Sequence, residues 1–528
     1  MNPIKKIFIL VLLAVSFQKV NAQRFLSPVF TDSEITITNN VQFAQNYDFL
    51  TDPDGVVSSQ FMRVYQPDQS VDTETARPVM IYLHTGNFLP PGINGSPTGS
   101  INDSTVVEFS KQWAKRGFVV ATPSYRLGWN PLSTDAEIRK GTLLQAVYRA
   151  IQDVRAAIRF LRKSVAEQNN PYKIDPDRIV VFGEGTGGYV ALAFATLDRY
   201  EKLLIAKFLD QTQNPPVPYV DTLLMGNVEG FGGSKNIDNH TGYSSKANMV
   251  VNIGGALADT LWMEAGQPPM VTLQCVRDPF APYTFGTVIV PTTNENVVDV
   301  FGGGLFIDKA VRLGNNCAFD DPTEFTDVYS TAARARYNTT IPYIYPAPND
   351  QVNVGQGEGL FPFIRPLAGQ VLNNEAGPWQ WWDLSHPNSA NALNSNPDMS
   401  KTKALTYIDT IQGYVLPRVY KVLNLSDLSE APNKCNETTS VFNSFKQIGS
   451  VSIYPNPSNN RFFIELSGTD RFINKIQLMD ITGKVVYTQN ANNASQIMVV
   501  ENNFSSGVYF ANIQLDNGQQ ATGKVIIE

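Results

Sequence analysis

The stretch Ile179–Val190 reads I-V-V-F-G-E-G-T-G-G-Y-V and decides the fold of the chain around it. A short apolar strand comes first, a glycine-rich turn follows, and a helix begins behind the turn. This order is typical of a nucleophile elbow, whose pattern is G-x-S-x-G and whose serine presents its hydroxyl above the sheet. Gly183 and Gly187 hold the outer glycines, and Gly185 stands at the place of the serine. The position that carries the chemistry therefore has no side chain.

Length and composition place the chain among globular proteins with two or more domains. It has 528 residues, too many for one hydrophobic core, with 43% hydrophobic and 17% charged residues. The net charge is -7, and Lys and Arg form no cluster beyond the extreme N-terminus. Because nucleic acids and anionic membrane surfaces attract basic surfaces, neither is expected as a partner.

Residues 1–22 have the pattern of a signal peptide for secretion. Lys5 and Lys6 form the charged region, Ile7–Val15 the apolar run, and Val20-Asn21-Ala22 a small-residue cleavage site. No later segment is long and apolar enough to span a bilayer, so the mature chain is predicted to have no transmembrane segment.

Three cysteines, Cys275, Cys317 and Cys435, allow one disulfide with one thiol left over. Cys275–Cys317 is the preferred pair because both residues lie in the large domain, and three thiols without a disulfide are the alternative. Three cysteines and three histidines at these spacings do not predict a metal site. No cofactor is predicted.

Between about Gln42 and Leu425 the pattern alternates strands with helices. Predicted strands are Phe61–Tyr65, Val79–Leu83, Phe118–Thr122, Arg178–Phe182, Met249–Ile253, Met270–Val276 and Ile341–Tyr345, and predicted helices are Leu143–Arg162, Gly187–Leu197 and Thr402–Leu423. Such alternation predicts an α/β fold, with a mostly parallel central sheet and helices on both faces. We assign residues 23–425 to this domain.

The texture of the chain changes after this domain. Residues 426–447 are rich in Ser, Asn, Glu and Thr and are predicted to be a linker. Residues 448–528 contain short strands at close spacing, which indicate a small all-β sandwich.

The large domain resembles the carboxylesterase branch of the α/β-hydrolase superfamily in motifs spread over most of its length. The matching motifs are His84-Thr85-Gly86-Asn87-Phe88, Tyr125-Arg126-Leu127-Gly128, Asp153 to Ala157, Asp175-Pro176-Asp177-Arg178-Ile179 and Gly183-Glu184-Gly185-Thr186-Gly187-Gly188. At the last of these the family carries Gly-Glu-Ser-Ala-Gly-Gly. The resemblance implies an α/β-hydrolase fold and a Ser…Asp…His order for any catalytic triad.

Carried over residue by residue, the triad is incomplete. Asp278 follows a predicted strand and is the candidate acid, with a carboxylate that caps a strand-end turn as the alternative. After Ile341–Tyr345, Glu358 occupies the slot expected for the histidine. His386 has the right chain order and is a candidate base, with an ordinary loop histidine as the alternative.

The oxyanion turn is predicted at His84, Thr85 and Gly86, together with the backbone N–H of Thr186. Thr85 and Asn87 replace two glycines of the family pattern. Thr186 is also a candidate nucleophile, although centring the elbow on it would put Glu184 where a glycine belongs.

Trp379, Trp381 and Trp382 form an aromatic cluster. If exposed, they would make a platform for a sugar, lipid or polymer, and if buried, they would anchor a loop over the core.

The C-terminal domain resembles the type A sorting domain of type IX secretion cargo in Bacteroidota. The residues that carry this are Ser452-Ile453-Tyr454-Pro455-Asn456-Pro457, Ile481-Thr482-Gly483-Lys484-Val485, Ser506-Gly507-Val508-Tyr509-Phe510 and Lys524-Val525-Ile526-Ile527-Glu528. The resemblance implies that residues 448–528 bind the secretion machinery and that the protein is secreted or held at the cell surface. A stalk-like sandwich with a binding role is the alternative.

Two functions remain open from the sequence. The first is a secreted carboxylesterase-like protein that lacks the Ser-His-Asp chemistry and either binds a small-molecule, ester or glycan ligand or acts at the cell surface. The second is an active extracellular ester or polymer hydrolase that uses Thr186 as an atypical nucleophile. Gly185 favours the first.

Overall fold

The structure, a computed structural model, describes residues 24–50, 52, 54–290, 295–321, 323–343, 350–364, 375–433, 450–458, 461–467, 472–480, 484–494, 496–500, 504–516 and 520–528. The predicted signal peptide and residues 434–447 of the predicted linker lie outside them. The chain forms two compact units, Met1–Cys435 and Asn436–Glu528. None of the helices in the described ranges is long and apolar enough to cross a membrane.

The strands of the first unit alternate with its helices along the chain. They are β1 (Ile35–Asp48), β2 (Val56–Pro67), β3 (Arg77–Leu83), β4 (Val119–Pro123), β5 (Ile174–Glu184), β6 (Leu209–Asp210), β7 (Val217–Pro218), β8 (Met249–Ile253), β9 (Met270–Cys275), β10 (Phe285–Ile289), β11 (Asn296–Phe301), β12 (Thr340–Tyr343), β13 (Asp350–Asn353) and β14 (Leu360–Phe363).

Eight of these strands form one sheet, in the order β1-β2-β4-β3-β5-β8-β9-β14. In this order, the six strands β4-β3-β5-β8-β9-β14 are parallel to one another. Strand β2 is antiparallel to both of its neighbours, β1 and β4. Every residue of β3, β8 and β9 is buried, as expected of central strands that are covered on both faces. The predicted α/β architecture is confirmed.

The helices that cover the sheet follow the predicted pattern, with shifted ends. They are α1 (Ser104–Ala114), α2 (Ala136–Glu167), α3 (Thr186–Thr196), α4 (Thr222–Met225), α5 (Gly303–Arg312), α6 (Val328–Arg334), α7 (Ser389–Ala392) and α8 (Lys401–Val422), with short 3-10 turns at Asp32–Glu34, Tyr200–Leu203, Ala206–Phe208, Thr260–Trp262 and Cys317–Phe319. Helix α2 begins earlier than predicted because Asp135 caps it, accepting a hydrogen bond from the backbone N–H of Glu137.

The prediction that Ile341–Tyr345 is a strand of the central sheet is wrong. Thr340–Tyr343 pairs antiparallel with β13 in a separate two-stranded sheet, and β14 takes the edge of the central sheet, parallel to β9. Pro342 has no backbone N–H to donate, which suits a small hairpin better than a central strand. The segment expected to carry the histidine therefore precedes the last strand of the sheet instead of following it.

The preferred disulfide is also wrong. Cys317 is disulfide-bonded, whereas Cys275 is a buried thiol at the end of β9, so the two do not pair with each other. Cys435 lies outside the described residues.

The second unit is all-β, as predicted. Its strands are β15 (Ser450–Tyr454), β16 (Arg461–Ser467), β17 (Ile473–Met479), β18 (Val485–Ala494), β19 (Gln496–Val500), β20 (Gly507–Leu515) and β21 (Gln520–Ile527). They form two antiparallel sheets, ordered β15-β16-β19 and β18-β17-β20-β21. Side chains from both sheets, among them Phe462, Ile476 and Val525, share one apolar core.

Candidate active site

A cavity of about 220 Å³ lies at the carboxyl ends of β3, β5, β8 and β9, where ligands bind in open α/β sheets. Four residues at these strand ends line it: Thr85, Gly185, Gly254 and Asp278. Much of the wall is apolar, with Leu143, Leu144, Val147, Leu197, Leu203, Trp262, Val288, Ile289, Val298 and Val300.

The turn between β5 and α3 keeps the geometry of an elbow although it has no nucleophile. Gly185 has φ +53° and ψ -118°, a conformation that side chains rarely adopt, and its N–H donates to the Ile253 carbonyl at 2.8 Å. Such strain persists when the surrounding structure holds the turn in place. Glycine relieves this strain and leaves the turn intact.

Thr85 fills the space in front of Gly185. A Cβ added at Gly185 would lie 2.2 Å from Thr85 Oγ1 and 2.9 Å from Thr85 Cβ. Because both distances are shorter than any normal contact, a serine does not fit at this position while Thr85 keeps its place. The side chain of Thr85 therefore lies where a side chain at position 185 would have to lie.

The turn after β3 has a left-handed backbone at three successive residues. Gly86, Asn87 and Phe88 all have positive φ, at +129°, +56° and +54°. Asparagine tolerates this region better than most residues, so its presence in place of a glycine does not disturb the turn. The Asn87 carbonyl accepts a hydrogen bond from Trp129 Nε1 at 2.7 Å, which holds the turn against the start of α2.

His84 is part of this turn, but its imidazole does not line the cavity. The ring stacks on Tyr125, with centroids 4.6 Å apart, and its Nδ1–H donates to the Thr85 carbonyl. Burial lowers the pKa of His84 to about 4, so the imidazole is neutral at physiological pH. His84 therefore acts as a packing residue behind the turn.

Asp278 lines the cavity just beyond β9, at the position predicted for the acid. Its Oδ1 accepts hydrogen bonds from the N–H groups of Phe280 at 2.8 Å and Ala281 at 3.0 Å. Burial is the main cause that raises the pKa of Asp278 to about 7, and the nearby Glu375 adds to it. Nothing in the described structure offers it an imidazole.

Trp379 lines the same cavity as Asp278. A Cβ added at Gly254 would lie 3.2 Å from Trp379 Cζ2 and 3.9 Å from Asp278 Oδ2, so both residues border Gly254. Trp379 follows β14 in the chain, as the histidine of a Ser…Asp…His order would follow the last strand. The tryptophan is 1% exposed, so of the two interpretations of the cluster the buried anchor applies to this residue.

Glu184, which sequence reasoning did not single out, ties Trp379 to the elbow. Its Oε1 accepts from Trp379 Nε1 at 3.0 Å and Gln380 Nε2 at 2.6 Å, and its Oε2 accepts from Tyr82 at 2.7 Å. The residue is fully buried, and burial raises its pKa. The signal for this role was the glutamate beside the missing serine in an otherwise glycine-rich turn.

The other sequence candidates lie away from this arrangement. None of the three histidines of the chain lines the cavity. His386 lies in a local turn. Its ring Nδ1 accepts a hydrogen bond from the backbone N–H of Asn388, and its backbone N–H donates to the Asp383 carbonyl. His240 contacts the Phe43 carbonyl.

Glu358 does not take the place of a histidine at the site, contrary to expectation. It forms ion pairs with Arg334 at 2.6 Å and Arg418 at 2.7 Å, in a buried charge cluster before β14. The sequence prediction took Ile341–Tyr345 as the last strand of the sheet and so placed Glu358 after it. In the structure the last strand is β14, and Glu358 precedes it.

Thr186 lines the cavity, but its hydroxyl oxygen is buried. An oxygen that is closed off from the cavity does not reach a substrate there, so this geometry does not favour Thr186 as a nucleophile. Among the described residues, no group of three or more His, Cys, Asp or Glu is placed to hold a metal ion.

Two family models match the chain. One, described as BD-FAE, matches residues 62–284, and the other, described as a secretion system C-terminal sorting domain, matches residues 452–528. The first unit thus contains an esterase-like domain of the α/β-hydrolase superfamily. The second is a C-terminal sorting domain of the type IX secretion system.

Individual relatives are more distant. Neuroligin-2 of Rattus norvegicus is 31% identical over 23% of this chain, the neuroligin-like protein glit-1 of Caenorhabditis elegans 26% over 27%, and the ulvan lyase NLR42 of Nonlabens ulvanivorans 31% over 17%. The chain spans only 12%, 16% and 17% of the length of these curated relatives. A solved structure, Thermogutta terrifontis esterase 2 phosphorylated by paraoxon, is 17% identical over 48% of this chain and 75% of its own, with a TM-score of 0.29.

Proposed function

We propose that the large domain is a non-catalytic α/β-hydrolase domain that binds a ligand outside the cell. The observation that carries the proposal is the contact between Thr85 and Gly185. The side chain of Thr85 takes the volume that a nucleophilic serine needs, so the vacancy at Gly185 is filled instead of open. Hydrolysis by a triad requires nucleophile and base together, because these residues act as a unit.

The absence of a base supports the same proposal. Trp379 lines the same cavity as Asp278, on the chain segment that would otherwise supply the histidine, and an indole neither accepts nor relays a proton. The backbone of the turn after β3 is kept, with its positive φ angles at Gly86, Asn87 and Phe88. A pocket with this frame, no serine at the elbow and no histidine in its lining is suited to binding.

No observation favours the alternative of an active hydrolase with Thr186 as its nucleophile. The hydroxyl oxygen of Thr186 is buried, and none of the three histidines of the chain lines the cavity.

The direct test is hydrolysis of short-chain aryl esters by the full chain. We expect a rate no higher than the background rate of the buffer, and no change on Asp278→Asn, because a lone carboxyl without a base and nucleophile gives no acyl transfer. Release of p-nitrophenol from p-nitrophenyl acetate and butyrate measures the rate. Turnover that Asp278→Asn abolishes would refute the proposal, since it would show a working triad.

We further propose that residues 1–22 are a signal peptide, that residues 426–447 are a linker, and that residues 448–528 bind the type IX secretion machinery. The match of residues 452–528 to the sorting-domain family supports this arrangement.

A deletion tests the sorting role. In a cell that has this secretion system, removal of residues 448–528 is expected to keep the large domain in the periplasm, because it no longer crosses the outer membrane. Fractionation followed by immunoblotting measures its location, and a variant with the same tail transferred to an unrelated exported protein is the control. Equal amounts of full-length and shortened protein outside the cell would contradict the proposal.

A further inference from the structure

The ionisable side chains that line the cavity include acidic groups and no basic ones among the described residues. No Lys, Arg or His side chain lines it among the described residues, whereas two carboxyl groups, those of Glu184 and Asp278, do. An anionic ligand would meet both carboxyl groups in a low-dielectric site, and a cationic ligand would be attracted by them. The lining therefore discriminates between ligands by their charge.

The two carboxyl groups differ in what already contacts them. Glu184 accepts three hydrogen bonds, from Tyr82, Trp379 and Gln380, and both of its oxygens are occupied. Asp278 receives both of its backbone hydrogen bonds on Oδ1, while its Oδ2 lies 3.9 Å from the place that a Cβ at Gly254 would take, and Gly254 also lines the cavity. Asp278 is only 4% exposed and is part of the cavity lining.

Neighbouring charged groups do not neutralise Asp278. Glu375 is near enough to repel it and is itself paired with Lys403 at 3.0 Å. The Arg277 guanidinium Nε donates to the Pro342 carbonyl at 2.9 Å. On α3, the Tyr189 phenol is close enough to feel the charge of Asp278, which raises the pKa of the phenol further above the value that burial gives it.

Aromatic rings complete the lining. Trp129, Trp379, Trp382 and Phe88 line the same cavity. The faces of such rings attract organic cations, and tryptophan does so most strongly.

We propose that the cavity binds an organic ammonium ion: a protonated amine on an apolar body, with the amine at Asp278 and the body against the aromatic and aliphatic walls. This deepens the proposed binding function and rests on it. A charge-assisted hydrogen bond from the ammonium to Asp278 Oδ2 supplies the donor that an imidazole supplies in a catalytic triad.

The titration of Asp278 sharpens the expected behaviour. Its pKa is raised to about 7, mainly by burial, and a bound cation stabilises the charged form of the carboxyl. Ammonium binding is therefore coupled to loss of a proton from Asp278. The affinity is expected to rise as the pH rises from about 5.5 to about 8, and to level off above that because Asp278 is then ionised without ligand.

The experiment compares three probes of one length: hexylammonium, 1-hexanol and hexanoate. Titration calorimetry with the full chain measures their dissociation constants at several pH values. At pH near 8 we expect hexylammonium to bind at least about tenfold more tightly than 1-hexanol, the ratio that one charge-assisted hydrogen bond supplies. Hexanoate is expected to bind more weakly than 1-hexanol.

Two variants test the role of the carboxyl. Asp278→Asn is expected to abolish the preference for hexylammonium over 1-hexanol and its pH dependence. Asp103→Asn is the matched control, because the pKa of the half-buried Asp103 is also raised to about 7, mainly by desolvation, but Asp103 does not line the cavity. This control is expected to keep the preference.

Several results would overturn the proposal. They are equal or tighter binding of hexanoate, no difference between hexylammonium and 1-hexanol, a preference for hexylammonium that Asp278→Asn leaves unchanged, or no binding of hexylammonium at millimolar concentration. If Asp278→Asn does not fold, the pH dependence of the unaltered chain decides, since a constant affinity ratio also refutes the role of Asp278. Ester hydrolysis by the chain would instead refute the proposed non-catalytic function, so the two failures are distinct.

Discussion

Replacing Gly185 by serine is expected to lower the free energy of unfolding of the large unit by about 2–4 kcal/mol, the sum of backbone strain and overpacking. The new Cβ would lie 2.2 Å from Thr85 Oγ1, and the residue would have to keep φ near +53°. Urea unfolding followed by tryptophan fluorescence measures this change. All six tryptophans, Trp113, Trp129, Trp262, Trp379, Trp381 and Trp382, belong to the first unit, so the signal reports on that unit alone.

The second change isolates the role of Thr85. In the double variant Thr85→Gly/Gly185→Ser the contact is gone, and the two substitutions are expected to be less destabilising together than their sum by about 1–3 kcal/mol. Thr85→Val/Gly185→Ser is the matched control, because valine keeps the volume and gives no relief. The double variant is still expected to leave aryl esters intact, since no histidine lines the cavity. A Gly185→Ser variant as stable as the unaltered chain would show that Thr85 does not hold the space.

Asp278→Asn is expected to make the large unit more stable at alkaline pH, by on the order of 3 kcal/mol at pH 8, and to leave it nearly unchanged below about pH 4. The pKa of Asp278 is raised from 3.8 to about 7, mainly by burial. A carboxyl with a raised pKa contributes stability that is fully present below its unfolded pKa. That stability is lost as the pH rises through the folded value. Asparagine cannot ionise, so it avoids this loss.

The measurement is the urea midpoint of both proteins between about pH 4 and about pH 8. Asp54→Asn, at an exposed position, controls for the loss of one negative charge from the chain. Its effect is expected to be small at every pH. A constant difference between Asp278→Asn and the unaltered chain over the whole range would contradict the expected burial of an ionisable carboxyl.

Ionising Asp278 costs free energy because no histidine stands where a catalytic triad has one. In a triad the imidazole donates to the acid and takes up positive charge during the reaction. Here two backbone N–H groups contact one oxygen of Asp278, and no histidine lines the cavity. A buried carboxyl with no cationic partner in its cavity is costly to keep, which is the reason we infer that a ligand supplies the partner.

The sequence was sufficient to predict the α/β architecture and the place of the elbow. These follow from local patterns: apolar runs at strand length, helical spacing of apolar residues, and glycines at a turn that needs them. The position of Asp278 beyond β9 was predicted for the same reason, since it is adjacent in the chain to a strand that is buried throughout.

The sequence was not sufficient for the rest of the candidate site. Ile341–Tyr345 has the composition of a central strand but pairs in a hairpin, and pairing depends on partners elsewhere in the chain. That error placed Glu358 at the site, whereas the structure brings Trp379 there. The preferred disulfide failed in the same way, because proximity in sequence or domain does not determine which sulfurs meet.

The sequence by itself determined that this chain has the frame of an α/β-hydrolase domain with no nucleophile at Gly185, followed by a sorting domain. Only the tertiary structure decided that Thr85, 100 positions away along the chain, fills the vacant space, and that Trp379 lines the same cavity as Asp278. The physical reason is that backbone propensity and apolar periodicity are local, whereas the shape and charge of a cavity arise from side chains that meet only when distant strand ends are brought together.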